Sequence, residues 1–439
     1  GFIDDDYIGK ARSNGWLLSN ESVSTPATTN MSKDLQVKIS VEPVRNLKID
    51  LNMAHTQSKA KSIQYMYEAM PTTQSGSFSM TTISIKSAFE GMGDANNGFR
   101  SASFDKFCGL LDSYKARVQS QYEGTIYPGG AGSAYAGRKF NPEVGAVNKY
   151  SADVMVPAFL NAYTGYSGLS IFPTIASMLP NWSVKYSGLS QLSWFKERFK
   201  SVNINHGYKS IYAVGSYSSY SSYMKVMGDE IGFVKDATTD APVPSSMFNV
   251  STVSINESFS PLLGIDVTLK NNMTLKAEYR TTRVLSLSMT SVQINETTSK
   301  DLVFGMGYKI NDFRFVKSRA LKASRSRSGR GGDSDDEGKT KTSAKKNQKK
   351  DFAHDLNLRL DVSYRRQAAI TRDIATASSS ATSGNTAFKL SFTAGYTLSK
   401  LLTMSLYYDR QSNTPLLSSS SYPTVTQDFG VSLKFSLTR

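Results

Sequence analysis

Charged side chains recur at every second residue in this chain, and the chemistry that spacing offers is hydration and ion pairing. Lys276, Glu278 and Arg280 are spaced two apart, as are Arg359 and Asp361; Lys389 and Lys434 lie within similar alternating stretches. Lys38, Lys48 and Asp50 repeat the arrangement near the start. Residues two apart on an extended strand point the same way, so each group would present its charges on one face. A row of this kind suits a wall in contact with water.

Other reactive groups are sparse. The three histidines, His55, His206 and His354, are far apart and carry no partner at metal-ligand spacing. Cys108 is the sole cysteine, which excludes an internal disulfide and a cysteine metal cluster and reads as a small buried hydrophobe. No nucleophile motif, P-loop or dinucleotide fingerprint is found, and Gly129-Gly130-Ala131-Gly132 reads as a loop. These residues predict neither a catalytic site nor a cofactor nor a metal. Residues 324–332, Ser-Arg-Ser-Arg-Ser-Gly-Arg-Gly-Gly, resemble a phosphate-binding basic tract. The tract has no aromatics on which bases would stack, so nucleic acid is not an expected partner. It belongs to a segment, 317–350, with twelve Lys or Arg against four Asp or Glu, which supplies over half of the net charge of +15. That segment reads as a solvated, disordered loop.

The elements that position the charges are strands. At the C-terminus Phe429, Val431, Leu433, Phe435 and Leu437 share one parity, and Gly430, Ser432, Lys434, Ser436 and Thr438 share the other. A two-faced terminal strand of about ten residues is the signature of a membrane β-barrel. The pattern repeats in Leu35–Val41, Leu47–Met53, Val253–Leu269, Met273–Met289, Leu302–Ile310, Leu356–Tyr364, Phe388–Leu398 and Leu402–Tyr408. Pro43–Asn46, Asn271-Asn272 and Ser399-Lys400 read as tight turns. The alternation through Met273–Met289 is longer than a bilayer needs, so that strand should project beyond it. No run of eighteen apolar residues exists, which excludes a transmembrane helix. The chain offers little helix to cover so many apolar strand faces. The apolar parity is therefore expected to face lipid, and the charged parity, Lys276, Glu278, Arg280, Arg359, Asp361, Lys389 and Lys434, to face a water-filled lumen.

Residues 91–181 break the alternation. Phe104, Phe107, Cys108, Leu111 and Val118 follow helical spacing with Ser103 as N-cap, and 151–164 is partly helical with Pro157 ending or kinking it. With the C-terminus in the periplasm, this span is expected as a periplasmic insert, 317–350 as a periplasmic loop, and 366–386 and 412–426 as external loops. The organisation predicted is barrel strands over 1–90, insert over 91–181, strands over 182–316, basic loop over 317–350 and strands over 351–439. No export signal precedes Gly1, so the chain reads as a C-terminal fragment or processed piece. The fold class is all-β, a transmembrane antiparallel barrel with a small partly helical insert. A porin or nutrient transporter, and a soluble β-rich adhesin, are the competing readings.

Several longer motifs carry a resemblance. They are Thr252–Asp312, with Val-Ser-Ile-Asn-Glu-Ser-Phe-Ser-Pro-Leu-Leu-Gly-Ile-Asp and Lys-Ala-Glu-Tyr-Arg-Thr-Thr-Arg-Val-Leu-Ser-Leu-Ser; Tyr-Tyr-Asp-Arg-Gln-Ser-Asn-Thr-Pro-Leu-Leu-Ser-Ser-Ser-Ser-Tyr-Pro at 407–423; His-Gly-Tyr-Lys-Ser-Ile-Tyr-Ala-Val-Gly-Ser-Tyr at 206–217; and Leu-Pro-Asn-Trp at 179–182. Together they resemble the C-terminal portion of the SprA/Sov family, the outer-membrane translocons of the type 9 secretion system of Bacteroidota. The resemblance implies a very large single-chain barrel of which this chain forms the last part. It implies export of folded cargo bearing a C-terminal signal domain. It also implies three partners besides outer-membrane lipids: a PorV-type shuttle barrel, a periplasmic plug protein and the secreted cargo.

Overall fold

The computed structural model describes residues 7–16, 25–63, 72–91, 93–132, 134–227, 230–311, 313, 354–399, 401–417 and 422–436. The basic segment 317–350 and Leu437 lie outside the described residues. The strands are β1 (Ala27–Val44), β2 (Leu47–Ile63), β3 (Thr72–Thr81), β4 (Asn181–Tyr186), β5 (Phe199–Ser219), β6 (Met224–Met227), β7 (Ile231–Lys235), β8 (Pro242–Ser245), β9 (Phe248–Val250), β10 (Thr252–Leu269), β11 (Met273–Ser288), β12 (Gln293–Ile310), β13 (Leu356–Asp373), β14 (Ser378–Thr397), β15 (Leu402–Pro415) and β16 (Thr424–Phe435). The helices are α1 (Tyr7–Ser13), α2 (Ile85–Ala88), α3 (Ala102–Ser120), α4 (Ala152–Thr164) and α5 (Ser193–Arg198).

One antiparallel sheet of 13 strands carries the fold in the order β1-β2-β3-β5-β10-β11-β12-β13-β14-β15-β16. In it β4 also pairs with β2 and β5, and β9 with β5. Strands β6, β7 and β8 form a separate small sheet. Tight turns join β1 to β2, β10 to β11, β11 to β12 and β13 to β14. Asn46 and Asn272 hold φ values of 68° and 65° there, a left-handed conformation asparagine tolerates. The chain is thus the all-β, antiparallel transmembrane wall that the alternation predicts. Among the described residues β1 pairs only with β2 and β16 only with β15, so both edges of the sheet are open.

Cross-strand register gathers the apolar parity into one belt. On β12 to β14 it is Leu302, Phe304, Met306, Tyr308 and Ile310 beside Tyr364, Val362, Leu360, Leu358 and Leu356 beside Phe388, Leu390, Phe392, Ala394 and Tyr396. The belt continues through Leu402, Met404, Leu406 and Tyr408 to Phe435, Leu433, Val431 and Phe429. In the other direction it passes through Leu275, Ala277 and Tyr279, then Val267, Ile265 and Leu263. It ends at Ile49, Leu51 and Met53 beside Val41, Ile39 and Val37. Leu356–Tyr364 spans about 27 Å at roughly 3.4 Å per residue, or about 20 Å across a bilayer at barrel tilt, near the height of a lipid-exposed band. Its last members away from the C-terminal end are Tyr279, Leu302, Tyr364, Phe388, Tyr408 and Phe429. Five of these six are aromatic, which makes a girdle. From β1 to β16 the belt slides along the register toward the C-terminal end, as strands tilted in a membrane require. The step is clearest between β14 and β15, where Tyr408 pairs with Phe392 rather than with Phe388.

Strands β10 to β13 run on past the belt, and there the same parity is covered by protein. The insert fills a break in one strand position. β3 pairs with the half of β5 remote from the C-terminal end, β4 with the nearer half, and the chain between Thr81 and Asn181 leaves the wall at that seam. Its helices bury Phe104, Phe107, Leu111, Tyr114, Val118, Val154, Met155, Phe159 and Tyr163 in one cluster with Val253, Ile255, Leu285, Leu287 and Ile294 of the wall. Each fully buried large apolar side chain contributes about 1.5–3 kcal/mol.

Four expectations need correction here. The span 366–386, expected as an external loop, is mostly strand, because β13 runs to Asp373 and β14 begins at Ser378. The insert is seated toward the turns at 289–292 and 374–377, the end opposite to the turn after β14 and to the end of β16. With the C-terminus in the periplasm the insert is external, not periplasmic. Apolar residues beyond the bilayer need a cover, and the insert supplies it. The cap of α3 is Ser101, whose Oγ accepts from the Phe104 N–H at 3.3 Å, while Ser103 lies in the first turn and bonds Glu90. Helix α4 runs through Pro157 and ends at Gly165, φ 82°, whose N–H donates to Asn161 O at 3.0 Å. Cys108 packs against the core cluster but keeps part of its surface exposed.

Candidate functional site

The face opposite the belt collects every charged wall residue the alternation singles out. Lys276 stands opposite Gly305, and Gly305 opposite Asp361. Glu278 connects through Val303 and Ser363 to Lys389, and Thr274 through Gly307 to Arg359. Lys434 pairs with Thr403, which pairs with Thr397, on the same parity of β14 as Lys389. The seven candidates therefore share one surface. Phe429, Val431, Leu433 and Phe435 lie on the other; Phe429 and Leu433 are 69% and 65% exposed on this edge strand.

Ion pairs nearly neutralise the middle of that surface. Lys276 Nζ lies 2.8 Å from Glu278 Oε1, and Arg280 Nη2 donates to Glu278 Oε2. Arg359 Nε donates to Asp361 Oδ2 at 2.6 Å. Two further groups belong here. Arg365 grips Asp301 with two hydrogen bonds, 2.7 Å and 3.1 Å, and Asp266 accepts from Asn205 Nδ2 at 2.7 Å. Their parity, opposite to Leu302, Tyr364 and Ile265, was the signal in the sequence. Gly305 and Gly307 of β12 leave the surface low between Lys276, Arg359 and Asp361, and the groove over them holds about 640 Å³. A face with alternating signs and short ion pairs binds water strongly and presents little net field to a passing macromolecule.

The histidines stand apart from it. His206 Nδ1 lies 2.6 Å from Leu262 O, and its ring sits among Trp182 and Phe259 on the belt parity. His55 meets Phe78 edge-on, and His354 stacks on Tyr396. Among the described residues no group of three His, Cys, Asp or Glu is placed to hold a metal.

The site that periodicity did not reveal is a pair of buried ionic clamps on the belt parity, between wall and insert. Glu257 Oε1 accepts from Ser84 Oγ at 2.6 Å and Tyr208 OH at 2.8 Å, and its Oε2 from Arg283 Nη2 at 2.7 Å. Arg283 also donates to Ser87 O at 2.6 Å. Arg372, wholly buried, donates twice to Glu296 Oε2, at 2.6 Å and 2.8 Å, and once to Phe99 O at 2.6 Å. Charges on an otherwise apolar parity were the available hint. Within the insert, burial raises the Asp153 carboxyl above the usual carboxylate range while the Ser246 N–H donates to it at 2.8 Å. Burial also pushes the Cys108 thiol up to about 11.

No family model and no curated protein matches the chain. Among solved structures it is similar to OmpT (in-vitro folded), an outer membrane protein of Vibrio cholerae, at 10% identity and a TM-score of 0.21, over 93% of this chain and 95% of that one. The trimer form of that protein gives 8% identity and a TM-score of 0.21, over 94% and 99% of the two chains.

Proposed function

We propose that this chain is a sector of the wall of an outer-membrane pore that exports folded protein, a type 9 translocon of the SprA/Sov kind, and that it works without catalysis. The observation that carries the reading is the continuous belt on a sheet whose edge strands, β1 and β16, each have one partner among the described residues. Strand edges left open in hydrocarbon expose backbone groups that nothing there can satisfy. A sector of eleven strand positions whose edge strands have no further partner among the described residues requires more wall, and the ring that closes it is wide.

In such a ring the charged face lines the lumen. Lys276, Glu278, Arg280, Arg359, Asp361, Lys389 and Lys434 hold water against the wall, and their pairing keeps folded cargo from adhering. The motifs at 206–217, 252–312 and 407–423 support the family assignment. That assignment brings outer-membrane lipids, a PorV-type shuttle barrel, a periplasmic plug protein and cargo with a C-terminal signal domain as partners.

The test is extraction from membranes followed by identification of what travels with the protein. Release only in detergent, with secreted protein and a second barrel attached, is the expected result. Passage of small solutes with no associated protein would make it a porin or transporter. Release by urea or high salt would remove the membrane reading.

A further inference from the structure

The rim of the belt carries an unbalanced row of cations. On β11 to β16 the first belt-parity residue beyond the apolar belt is Thr281, Lys300, Arg366, Thr386, Arg410 and Gln427 in turn. Thr281, Lys300, Arg366 and Thr386 lie in one register row just beyond the aromatic girdle, and Arg410 and Gln427 follow the step of the belt between β14 and β15. Three of the six are cations and none is an acid.

Lys300 and Arg366 stand directly opposite each other in register. Like charges so placed on neighbouring strands repel. The next pair on the same two strands shows the contrast. Asp301 and Arg365, facing the other way, are opposite in sign and joined at 2.7 Å. The neighbours of Lys300 and Arg366 on their own face are Thr281, Thr298, Leu302, Tyr364, Ala368 and Thr386, none of them acidic. Farther up β12, Glu296 is already held by Arg372 at 2.6 Å. Arg366 is exposed, and among the described residues neither the Lys300 nor the Arg366 side chain has a hydrogen-bond or ion-pair partner. The arrangement repels itself unless an anion arrives from outside the chain, at the depth where lipid headgroups begin.

We propose that Lys300 and Arg366 form a site for the phosphate of a lipid headgroup on the leaflet adjoining the insert. The site rests only on the belt facing lipid, not on the secretory role, so loss of cargo association would leave it standing. Arg366 supplies a planar fork to two phosphate oxygens and Lys300 a point charge to a third. The lipid is anchored by its phosphate while its chains lie along Phe304, Val362 and Leu390.

Detergent-solubilised protein is titrated with phosphorylated lipid A, dephosphorylated lipid A and inorganic phosphate, and bound species are read by native mass spectrometry. Phosphorylated lipid A should bind the wild type, and the other two only weakly. Affinity should fall about fivefold for K300Q or R366Q and about twenty-fivefold for K300Q/R366Q. R365Q, which removes a cation from the opposite face, should bind like the wild type. Heat-modifiable migration on gels verifies that each variant is assembled. Equal binding by K300Q, R366Q and the wild type would overturn the site. Equal binding of dephosphorylated lipid A would do the same. Inorganic phosphate binding as tightly as the lipid would make this a free-anion site and overturn the lipid assignment.

Discussion

Arg283 Nη2 lies 2.7 Å from Glu257 Oε2 with both side chains almost wholly buried, and the guanidinium reaches on to the Ser87 carbonyl at 2.6 Å. The pair therefore joins three segments: β10, β11 and the first turn of the insert. Removing one partner strands a buried charge. R283L should destabilise the protein by about 3–5 kcal/mol, whereas the double variant E257L/R283L should cost much less than the two single losses together. Urea unfolding of the assembled protein, together with protease cleavage of the insert, measures both.

Facing is tested at one depth by neighbours on β16. Leu433 pairs with Met404 on the belt, and Ser432 with Ser405 on the charged face. L433R should reduce assembly by about 2–4 kcal/mol near the bilayer midplane, and S432R by far less. Equal yields of heat-modifiable protein from the two would contradict the assignment.

Cys108 offers a pH test. The thiolate is the reactive form, and burial raises its pKa from 9.0 to about 11. At neutral pH its thiolate fraction is about a hundredfold below that of a free thiol. Maleimide labelling followed by mass spectrometry should be slow at pH 7 and accelerate up to about pH 11. Fast labelling at neutral pH would mean that α3 does not pack as described.

The turn after β13 should loosen in acid. Asp373 accepts from the Thr376 N–H at 2.7 Å and from the Thr376 hydroxyl at 2.8 Å, which holds its carboxyl below 3.8. A depressed folded value favours the ionised turn, so the contribution is complete above pH 3.8 and disappears as pH falls through the lower folded value. Amide exchange at Thr376 should rise on that descent, and D373A should show the rise at every pH.

Much of the wall was legible because a bilayer imposes a strict two-residue rhythm. Leu356–Tyr364 and Phe388–Tyr396 keep that rhythm over the height of the belt, and both asparagine turns fell where expected. What stayed hidden lacked such a rhythm. Trp182, Val184 and Tyr186 do alternate as a strand, but at six residues it is too short to announce that it completes the position begun by β3. The insert's side is not legible for the same reason: a segment attached at mid-wall leaves no parity from which to count. Ser101 and Ser103 are equally good caps by type and both hydroxyls donate to the Glu90 carboxylate; what separates them is that only Ser101, in an extended conformation, also accepts the Phe104 N–H. Glu257 and Arg283 sat within apolar runs as apparent exceptions, and their meaning required the partner strand.

The sliding of the belt from β1 to β16 constrains whatever segment docks beside the final strand. Its oily residues must be displaced in the same sense by the same pitch, or Lys434 and its counterparts would be dragged into hydrocarbon. The seam is keyed in advance: a newcomer offset by a single position finds every side chain pointing into the wrong medium, and the ring does not shut.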